Sequence, residues 1–490
     1  MPRPAWKATI DVDRAASLPP FLQIARALAA DIQQGRLRPG DRLPGSRRLA
    51  ESLQVHRNTI LAALAELMSE GWVETAAGRG TFVSHAIVNP AHRRFSRPKV
   101  LRTNTPASLP FTLPEPPAEH RSPELPRGTL NLSSGAPDVR LVPARLIGRA
   151  YRRVLGLKGA DLLGYAKPEG HSGLRAGLAS MLKSTRMLHV SSDDIMVTRG
   201  SQMALTLAAR ALLRPGDTIA VEGLGYRPAW EAFRATGATV TPVEIDADGI
   251  NVDSLKQLAK HTKLRAVYVT PHHQYPTTVT LKAARRLALL ALAREQGMAI
   301  IEDDYDHEFH YDGRPVLPLA SAEHAGQVVY IGTLSKVLAP GLRLGYMVAP
   351  PAVLRSACLI RSILDTQGDQ ATEAAVATLI EDGELERHVA RVRRIYANRR
   401  EILANSLKQV FADDVEFTFA PGGMALWVRL HMSVDVDEWS RRSIQHGVFW
   451  HTGRRYAFDG KSKPFARFSF ASLNERELPE AVKRMAAAYY

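Results

Sequence analysis

Gly332-Thr333-Leu334-Ser335-Lys336-Val337-Leu338-Ala339-Pro340-Gly341-Leu342-Arg343-Leu344-Gly345-Tyr346 sets a lysine between two hydroxyls and an arginine beside a tight glycine turn. A lysine joins an aldehyde as a Schiff base only when its amine is partly neutral, and burial near other cations lowers a lysine pKa in that direction. Thr333, Ser335 and Arg343 are suited to hold a phosphate, Arg343 by a charge-assisted bidentate contact. The segment therefore reads as a pyridoxal phosphate site with Lys336 as its covalent residue. Taken alone, it fits equally well a buried strand end whose lysine and arginine reach solvent.

A second segment separates the two readings. Met298-Ala299-Ile300-Ile301-Glu302-Asp303-Asp304-Tyr305-Asp306 starts as an apolar, β-branched run, the signature of a buried parallel strand, and ends in carboxylates and a tyrosine. Ligands of open α/β sheets bind at that carboxyl end. Pyridoxal phosphate withdraws electrons only while its ring nitrogen stays protonated, which calls for a carboxylate partner, and its phenolic oxygen is tuned by a hydroxyl donor. Asp303 and Tyr305 suit those two positions. Asp304 and Asp306 read as solvated loop charges or helix caps.

Length and composition set the frame. At 490 residues and 45% hydrophobic content the chain can form two to four domains with a large core. The single cysteine, Cys358, excludes an internal disulfide and suits a reducing compartment. No apolar run approaches the length of a membrane span and the first residues lack a signal-peptide core, so the expectation is a cytoplasmic protein with no membrane partner. The net charge is +15, and residues 1–100 hold 15 Lys/Arg against 8 Asp/Glu, so 15 − 8 = +7 sits in the first fifth of the chain. That bias favours a polyanionic partner.

The pattern in this basic region is specific. After Pro19-Pro20, the positions Phe21, Ile24, Leu28 and Ile32 share one helix face that Gly35 ends. Ser46 is expected to cap a short helix through Leu53. Gln54-Val55-His56 turns into a third helix, about Arg57 to Glu70, expected to bury Ile60, Leu61, Leu64, Leu67 and Met68. Two helices joined by a tight turn make a helix-turn-helix. Trp72 to Thr75 and Thr81 to Val83 flank Ala76-Ala77-Gly78-Arg79-Gly80 as a hairpin wing with a basic tip. The start of the third helix, with His56, Arg57, Asn58 and Thr59, is where a recognition helix meets base edges. Arg57 and Asn58 suit guanine and adenine edges, while Thr59, Arg47 and Arg79 suit phosphates.

Leu43-Pro44-Gly45-Ser46-Arg47, Arg57-Asn58-Thr59 and Gly78-Arg79-Gly80-Thr81-Phe82-Val83 resemble the GntR winged helix, and residues 129–490 resemble the fold-type I aminotransferases. Joined in this order, the two resemble the MocR/GabR family of pyridoxal phosphate-dependent transcription regulators over nearly the whole chain. The organisation expected is a winged helix-turn-helix DNA-binding domain over 15–85, a proline-rich linker over 86–128 and an aminotransferase-like effector domain over 129–490. The linker carries Arg93, Arg94, Arg97 and Lys99, which keep a tether soluble or touch DNA. The fold class implied is α/β, a mainly parallel sheet between helices with a small C-terminal α/β domain.

Further residues take roles in that frame. Ile195 to Gln202 reads as a strand, a glycine turn and a helix start, whose free amides would receive the phosphate at Ser201 and Gln202. The resemblance implies that Tyr226 stacks on the cofactor ring and that Tyr275 faces its phenolic oxygen, where related aminotransferases carry asparagine. It implies that Tyr165 reaches a partner's phosphate across a head-to-tail homodimer, and that Arg467 clamps an effector's α-carboxylate. Thr278 replaces the family's usual glycine and His272 its usual small residue. His272-His273 suggests metal only superficially, because no third ligand stands at zinc spacing, so no metal is expected.

The resemblance thus implies a regulator that binds double-stranded operator DNA and senses an amino compound, or pyridoxal phosphate itself, by aldimine exchange at Lys336. A working aminotransferase with an accessory DNA-binding domain is the rival, since the residues for half a transamination are all present.

Overall fold

The computed structural model describes residues 10–14, 16, 18–87, 124–133, 135–313, 315–322 and 325–489. The chain divides into two compact units, Met1–Glu115 and Pro116–Tyr490. The expected tether, with Arg93, Arg94, Arg97 and Lys99, lies largely outside the described residues.

In the first unit, helix α1 (Pro20–Gln33) places its proline at the first helical position, where a missing N–H leaves nothing unpaired. Its stripe Ile24, Leu28 and Ile32 is buried, and Gly35 takes a positive φ just past the end. Helices α2 (Ser46–Ser52) and α3 (Arg57–Ser69) follow, then the antiparallel wing of β1 (Val73–Ala76) and β2 (Gly80–Val83), in register Val73 to Val83. Ile60, Ala63, Leu64 and Leu67 complete the core with Leu28, Leu49 and Val83.

Two local expectations are corrected here. Leu61 and Met68 are 45% and 39% exposed. Each lies one residue, about 100°, past a buried position, which carries it off the apolar stripe. Gly45, not Ser46, occupies the N-cap of α2, and Ser46 Oγ instead accepts from Arg57 Nε at 3.3 Å.

The second unit is built on a seven-stranded sheet of β3 (Ile195–Thr198), β4 (Thr218–Glu222), β5 (Thr239–Val243), β6 (Leu264–Val269), β7 (Ala299–Asp304), β8 (Val328–Thr333) and β9 (Gly345–Val348), in the order β3-β9-β8-β7-β6-β4-β5. Strand β9 is antiparallel to both neighbours, and the pairs among β4 to β8 are parallel. Successive residues of β7 serve opposite faces. Ile301 packs with Met196, Leu205, Trp230 and Phe233, whereas Ile300 packs with Val267, Val269 and Leu289. Burial on both faces explains the unbroken apolar run in the sequence.

Helices α4 (Ala144–Leu162), α5 (Ser172–Arg186) and α6 (Gly200–Leu212) belong to this unit, α6 starting directly after β3. A four-stranded antiparallel sheet of β10 (Val415–Glu416), β11 (Ala425–Leu430), β12 (His451–Thr452) and β13 (Phe465–Ser469) forms the smaller C-terminal part. The 28-residue helix Glu384–Phe411 precedes it. Among the described residues no helix is long and apolar enough to cross a membrane.

Candidate functional site

The carboxyl ends of β6, β7 and β8 and the start of α6 open onto one cavity of about 310 Å³. It is lined by Ser201, Gln202, Tyr226, Tyr275, Asp303, Tyr305, Thr333, Ser335, Lys336, Arg343 and Arg467, and by Gly135, Ala136, Tyr268, Thr270 and Pro340. Every cofactor and carboxylate position expected from the sequence therefore faces the same space except Tyr165, whose side chain stands 95% exposed elsewhere on this unit.

Lys336 follows β8 in a tight turn that Leu338 N closes on Leu334 O at 2.9 Å. Burial, then the nearby Arg467 cation, pushes the Lys336 amine down to about 8. Thr333 Oγ1 accepts from Ser335 N at 3.1 Å and donates to Leu344 O at 3.3 Å, whereas Ser335 Oγ has no partner. Arg343 sits in the left-handed region at φ 52 and leans its guanidinium over Gly200, donating to Arg199 O at 3.3 Å. A β-carbon at Gly200 would come within 2.9 Å of Arg343 Nη2, so glycine lets this cation reach the first turn of α6 beside Ser201. The Gln202 side chain is engaged elsewhere, donating from Nε2 to Pro228 O at 2.9 Å, and its backbone N–H lies in the first turn of α6, where helix amides can serve an anion.

Asp303 is buried at the end of β7. Its Oδ2 accepts from Tyr268 OH at 2.9 Å, and its Oδ1 has no partner. Burial raises its carboxyl to about 7 against the hydrogen bond from Tyr268. Tyr305 OH is also buried and unpartnered. Tyr275 stands edge-on to Tyr226, Tyr305 and Tyr456 at ring separations of 5.7, 5.9 and 5.5 Å, and its backbone N–H donates to Thr270 Oγ1 at 2.9 Å. The buried Arg467 lies over the Tyr275 ring at 4.9 Å, with Nε and Nη1 unpartnered.

A phosphorylated, aldehyde-bearing pyridine needs a carboxylate for its ring nitrogen, donors for its phenolic oxygen and phosphate, and an amine for its aldehyde. Asp303 Oδ1, Tyr305 OH, Ser335 Oγ with the start of α6, and Lys336 Nζ are those groups, and all face the one cavity. A buried guanidinium without a carboxylate, as at Arg467, is costly unless an anion arrives. The residues present fit pyridoxal phosphate and an amino acid beside it.

Tyr268 and Thr270 were not legible as site residues, because Tyr268 reads as one more core aromatic of an apolar strand. Thr270 lines the cavity and is held from behind, its N and Oγ1 donating to Glu222 Oε2 at 3.2 and 2.7 Å.

Asp304 and Asp306, expected in solvent, are buried. Asp304 Oδ2 accepts from Tyr330 OH at 2.6 Å and lies 2.9 Å from His307 Nδ1 and 3.7 Å from Arg186 Nε. Although burial pushes the Asp304 carboxyl up, His307, His272 and Arg186 hold it below the usual range. Asp306 Oδ1 pairs with His273 Nδ1 at 2.7 Å. The sheet folds the His272-His273 loop against the segment after β7, so acids that look exposed in sequence find basic partners some thirty residues away. The same folding supplies what the His272-His273 pair lacked in sequence, since His307, His310 and Asp304 all come within ligating reach. Thr278 adopts φ 63, so the loop keeps a glycine-like conformation without the glycine.

In the first unit Arg47, His56, Arg57, Asn58 and Arg79 are exposed and Thr59 is half-buried. His56 is the N-cap of α3, its Nδ1 accepting from Asn58 N at 3.3 Å, so it shapes the start of that helix as well as standing beside it.

The family model for class I and II aminotransferases matches residues 127–485, and that for the gntR family of bacterial regulatory proteins matches residues 20–83. The chain is 28% identical to the probable rhizopine catabolism regulatory protein MocR of Rhizobium meliloti, over 98% of this chain and 95% of that protein. It is 32% identical to the HTH-type pyridoxine biosynthesis transcriptional regulator PdxR of Corynebacterium glutamicum, over 79% and 78%. Among solved structures, the α-aminoadipate aminotransferase LysN of Thermus thermophilus, complexed with N-(5'-phosphopyridoxyl)-L-leucine, superposes with a TM-score of 0.69 at 29% identity, covering 74% of this chain and 92% of that one.

Proposed function

The chain belongs to the MocR-type transcription regulators, in which a gntR-family DNA-binding domain precedes a pyridoxal phosphate-dependent class I and II aminotransferase domain, and from that premise we propose that its large domain reports an amino acid or related amine to operator DNA. One observation carries the proposal. A β-carbon built on Gly135 would lie 3.6 Å from Arg467 Nη1 and 3.9 Å from Lys336 Nζ, so a buried free guanidinium and a free amine flank the same side-chain-less patch of cavity wall. That spacing suits the α-carboxylate and α-amine of one small molecule.

Bound pyridoxal phosphate supplies an aldehyde that condenses reversibly with amines and a ring that draws electrons from the new bond. Lys336, partly neutral near pH 8, is the resident amine that would hold the aldehyde and with which an effector amine would compete. Asp303 Oδ1 would hold the ring nitrogen, Tyr305 and Tyr275 would serve the phenolic oxygen, and Tyr226 would cover the ring. Ser201, Gln202, Thr333, Ser335 and Arg343 would hold the phosphate, and Arg467 would take the effector carboxylate. Displacement of Lys336 alters DNA binding only through a difference in effector affinity between two states of the protein.

The domain boundaries that go with this function are 15–85 for DNA binding, 86–128 for the linker and 129–490 for sensing. Arg47, His56, Arg57, Asn58, Thr59 and Arg79 meet the double-stranded operator, in the cytoplasm. Tyr165 stands fully exposed beside Leu163, which is 78% exposed, and the chain there is tied to Gln367, which donates to Gly164 O at 3.3 Å. Leu359 and Ile363, 70% and 86% exposed, lie on the helix Pro351–Leu364 that leads to Gln367. A second, head-to-tail copy of this chain covers this face.

The test is a gel shift on the upstream promoter with an amino-acid panel, run beside the absorbance of the bound cofactor. An effector that changes both in the wild type and neither in Lys336→Ala is the expected result. Unchanged DNA affinity and effector response in Lys336→Ala would overturn it. Repeated turnover of amino acid with no effect on DNA would favour the aminotransferase reading, to which the free Lys336 amine also lends itself.

A further inference from the structure

Directly behind the cofactor cavity lies a buried group of imidazoles that the sensing chemistry does not use. His272, His273 and His310 are 3%, 1% and 8% exposed, and one ring nitrogen from each falls within 4.8 Å of the others. His273 Nδ1 is tied to Asp306 Oδ1 at 2.7 Å, which fixes the ring and leaves Nε2 without a partner. Both ring nitrogens of His272 and Nδ1 of His310 are likewise unpartnered. Gly422 lets the backbone pass close to this imidazole, since a β-carbon there would stand 2.4 Å from both His273 Nε2 and Phe309 O.

We propose that His272, His273 and His310 form a binding site for a divalent transition metal of the zinc class. Three neutral nitrogens suit zinc, cobalt, nickel or copper and not the oxygen-seeking magnesium or calcium. Asp306 is the carboxylate that orients a ligating histidine from behind, an arrangement typical of such sites, and its charge offsets part of the ion's. Two Zn–N bonds of about 2.0–2.1 Å at the tetrahedral angle impose a nitrogen separation of about 3.4 Å, so binding would draw these nitrogens, now within 4.8 Å of one another, closer together. A second set, His272, Asp304 and His307, shares one histidine. Its carboxylate already accepts from Tyr330 and has the Arg186 cation at 3.7 Å, which makes it the poorer host. The ion joins the loop carrying Tyr275 to the segment carrying Tyr305, and so braces two walls of the cofactor cavity from outside.

The experiment uses untagged full-length protein, stripped with a chelator and titrated with Zn²⁺ or Co²⁺. Expected are one equivalent per chain and the intense visible bands of a tetrahedral cobalt site. His272→Phe and His310→Phe should abolish stoichiometric binding while far-ultraviolet circular dichroism stays that of the wild type. Asp306→Asn should weaken binding by about 10–100-fold, as loss of an orienting carboxylate does. His307→Phe should leave affinity within about threefold, since it lies outside the set. No saturable binding by the wild type, or cobalt bands typical of six-coordinate oxygen ligation, overturns the site without recourse to any variant. Equal loss in His307→Phe and His310→Phe overturns this choice of ligands.

Discussion

Tyr268 gives its hydroxyl hydrogen to Asp303 Oδ2 at 2.9 Å, so one oxygen of this buried carboxylate is held while Oδ1 stays free for the cavity. Burial raises this acid to about 7 even against that hydrogen bond, which lowers it. In the cofactor-free protein the sign follows from that rise. Asp303 binds a proton in the folded state where the unfolded chain does not, so its burial removes stability progressively as pH climbs from about 4 to about 7. Cofactor binding needs the ionised form, and affinity should fall as pH drops below about 7. Tyr268→Phe should move that midpoint upward and cost about 10–100-fold in affinity at neutral pH, from a lost hydrogen bond to a charged group worth about 1.5–3 kcal/mol. Fluorescence titration across pH 5–9 checks it, and an unmoved midpoint would count against the pairing.

Lys336 should behave as an amine with its midpoint near 8, not 10.5. The rate at which cofactor-free protein takes up pyridoxal phosphate should therefore rise through about pH 8 and level off, as followed by stopped-flow absorbance. A rise that continues beyond pH 10 would mean that burial and Arg467 do not depress this lysine.

Arg467→Gln should discriminate between ligands. A charge-assisted contact of about 1.5–3 kcal/mol corresponds to roughly a 10–100-fold loss in response to amino acids. Amines lacking a carboxylate should lose little. Equal losses for an amino acid and its decarboxylated amine, measured by cofactor absorbance, would remove the clamp from Arg467.

On DNA the exposed residues of the winged helix should divide. Arg57→Ala and Asn58→Ala should relax sequence preference by about 1–3 kcal/mol at one base pair each. Arg47→Ala and Arg79→Ala should weaken all sequences alike and lower the salt slope by about one. Binding isotherms on operator and scrambled DNA at several salt concentrations separate the two classes.

Ile60 and Leu61 are neighbours in the chain with opposite fates. Ile60→Ala, at a fully buried position, should cost about 2–5 kcal/mol, whereas Leu61→Ala, 45% exposed, should stay within about 0.5 kcal/mol. Thermal melts of the full chain read this in the transition assigned to the first unit, and similar shifts would mean that α3 is turned about its axis.

The contrast at Leu61 also shows what the sequence carried. Periodicity located α3 and the strand before Asp303, because a 3.6-residue stripe and an all-apolar run are local signals. Lys336, Asp303, Ser335 and Arg467 were legible because each ends or marks such an element. Tyr268 was hidden by its resemblance to its core neighbours. Asp304 and Asp306 were misjudged because Tyr330 and His273 reach them through sheet order and not through spacing, although His307, the other partner of Asp304, lies only three residues away. Long-range pairing leaves little trace in a single sequence.

The bare tyrosine on the surface has a genetic consequence. On the head-to-tail reading each cofactor site takes Lys336 from one chain and Tyr165 from the other. An allele lacking Lys336 and an allele lacking Tyr165, each inactive by itself, would then produce mixed dimers with one wholly intact site and one doubly damaged site. Co-expression should restore up to half of the effector response in those dimers, and a cell with two defective copies of this gene would still sense its ligand.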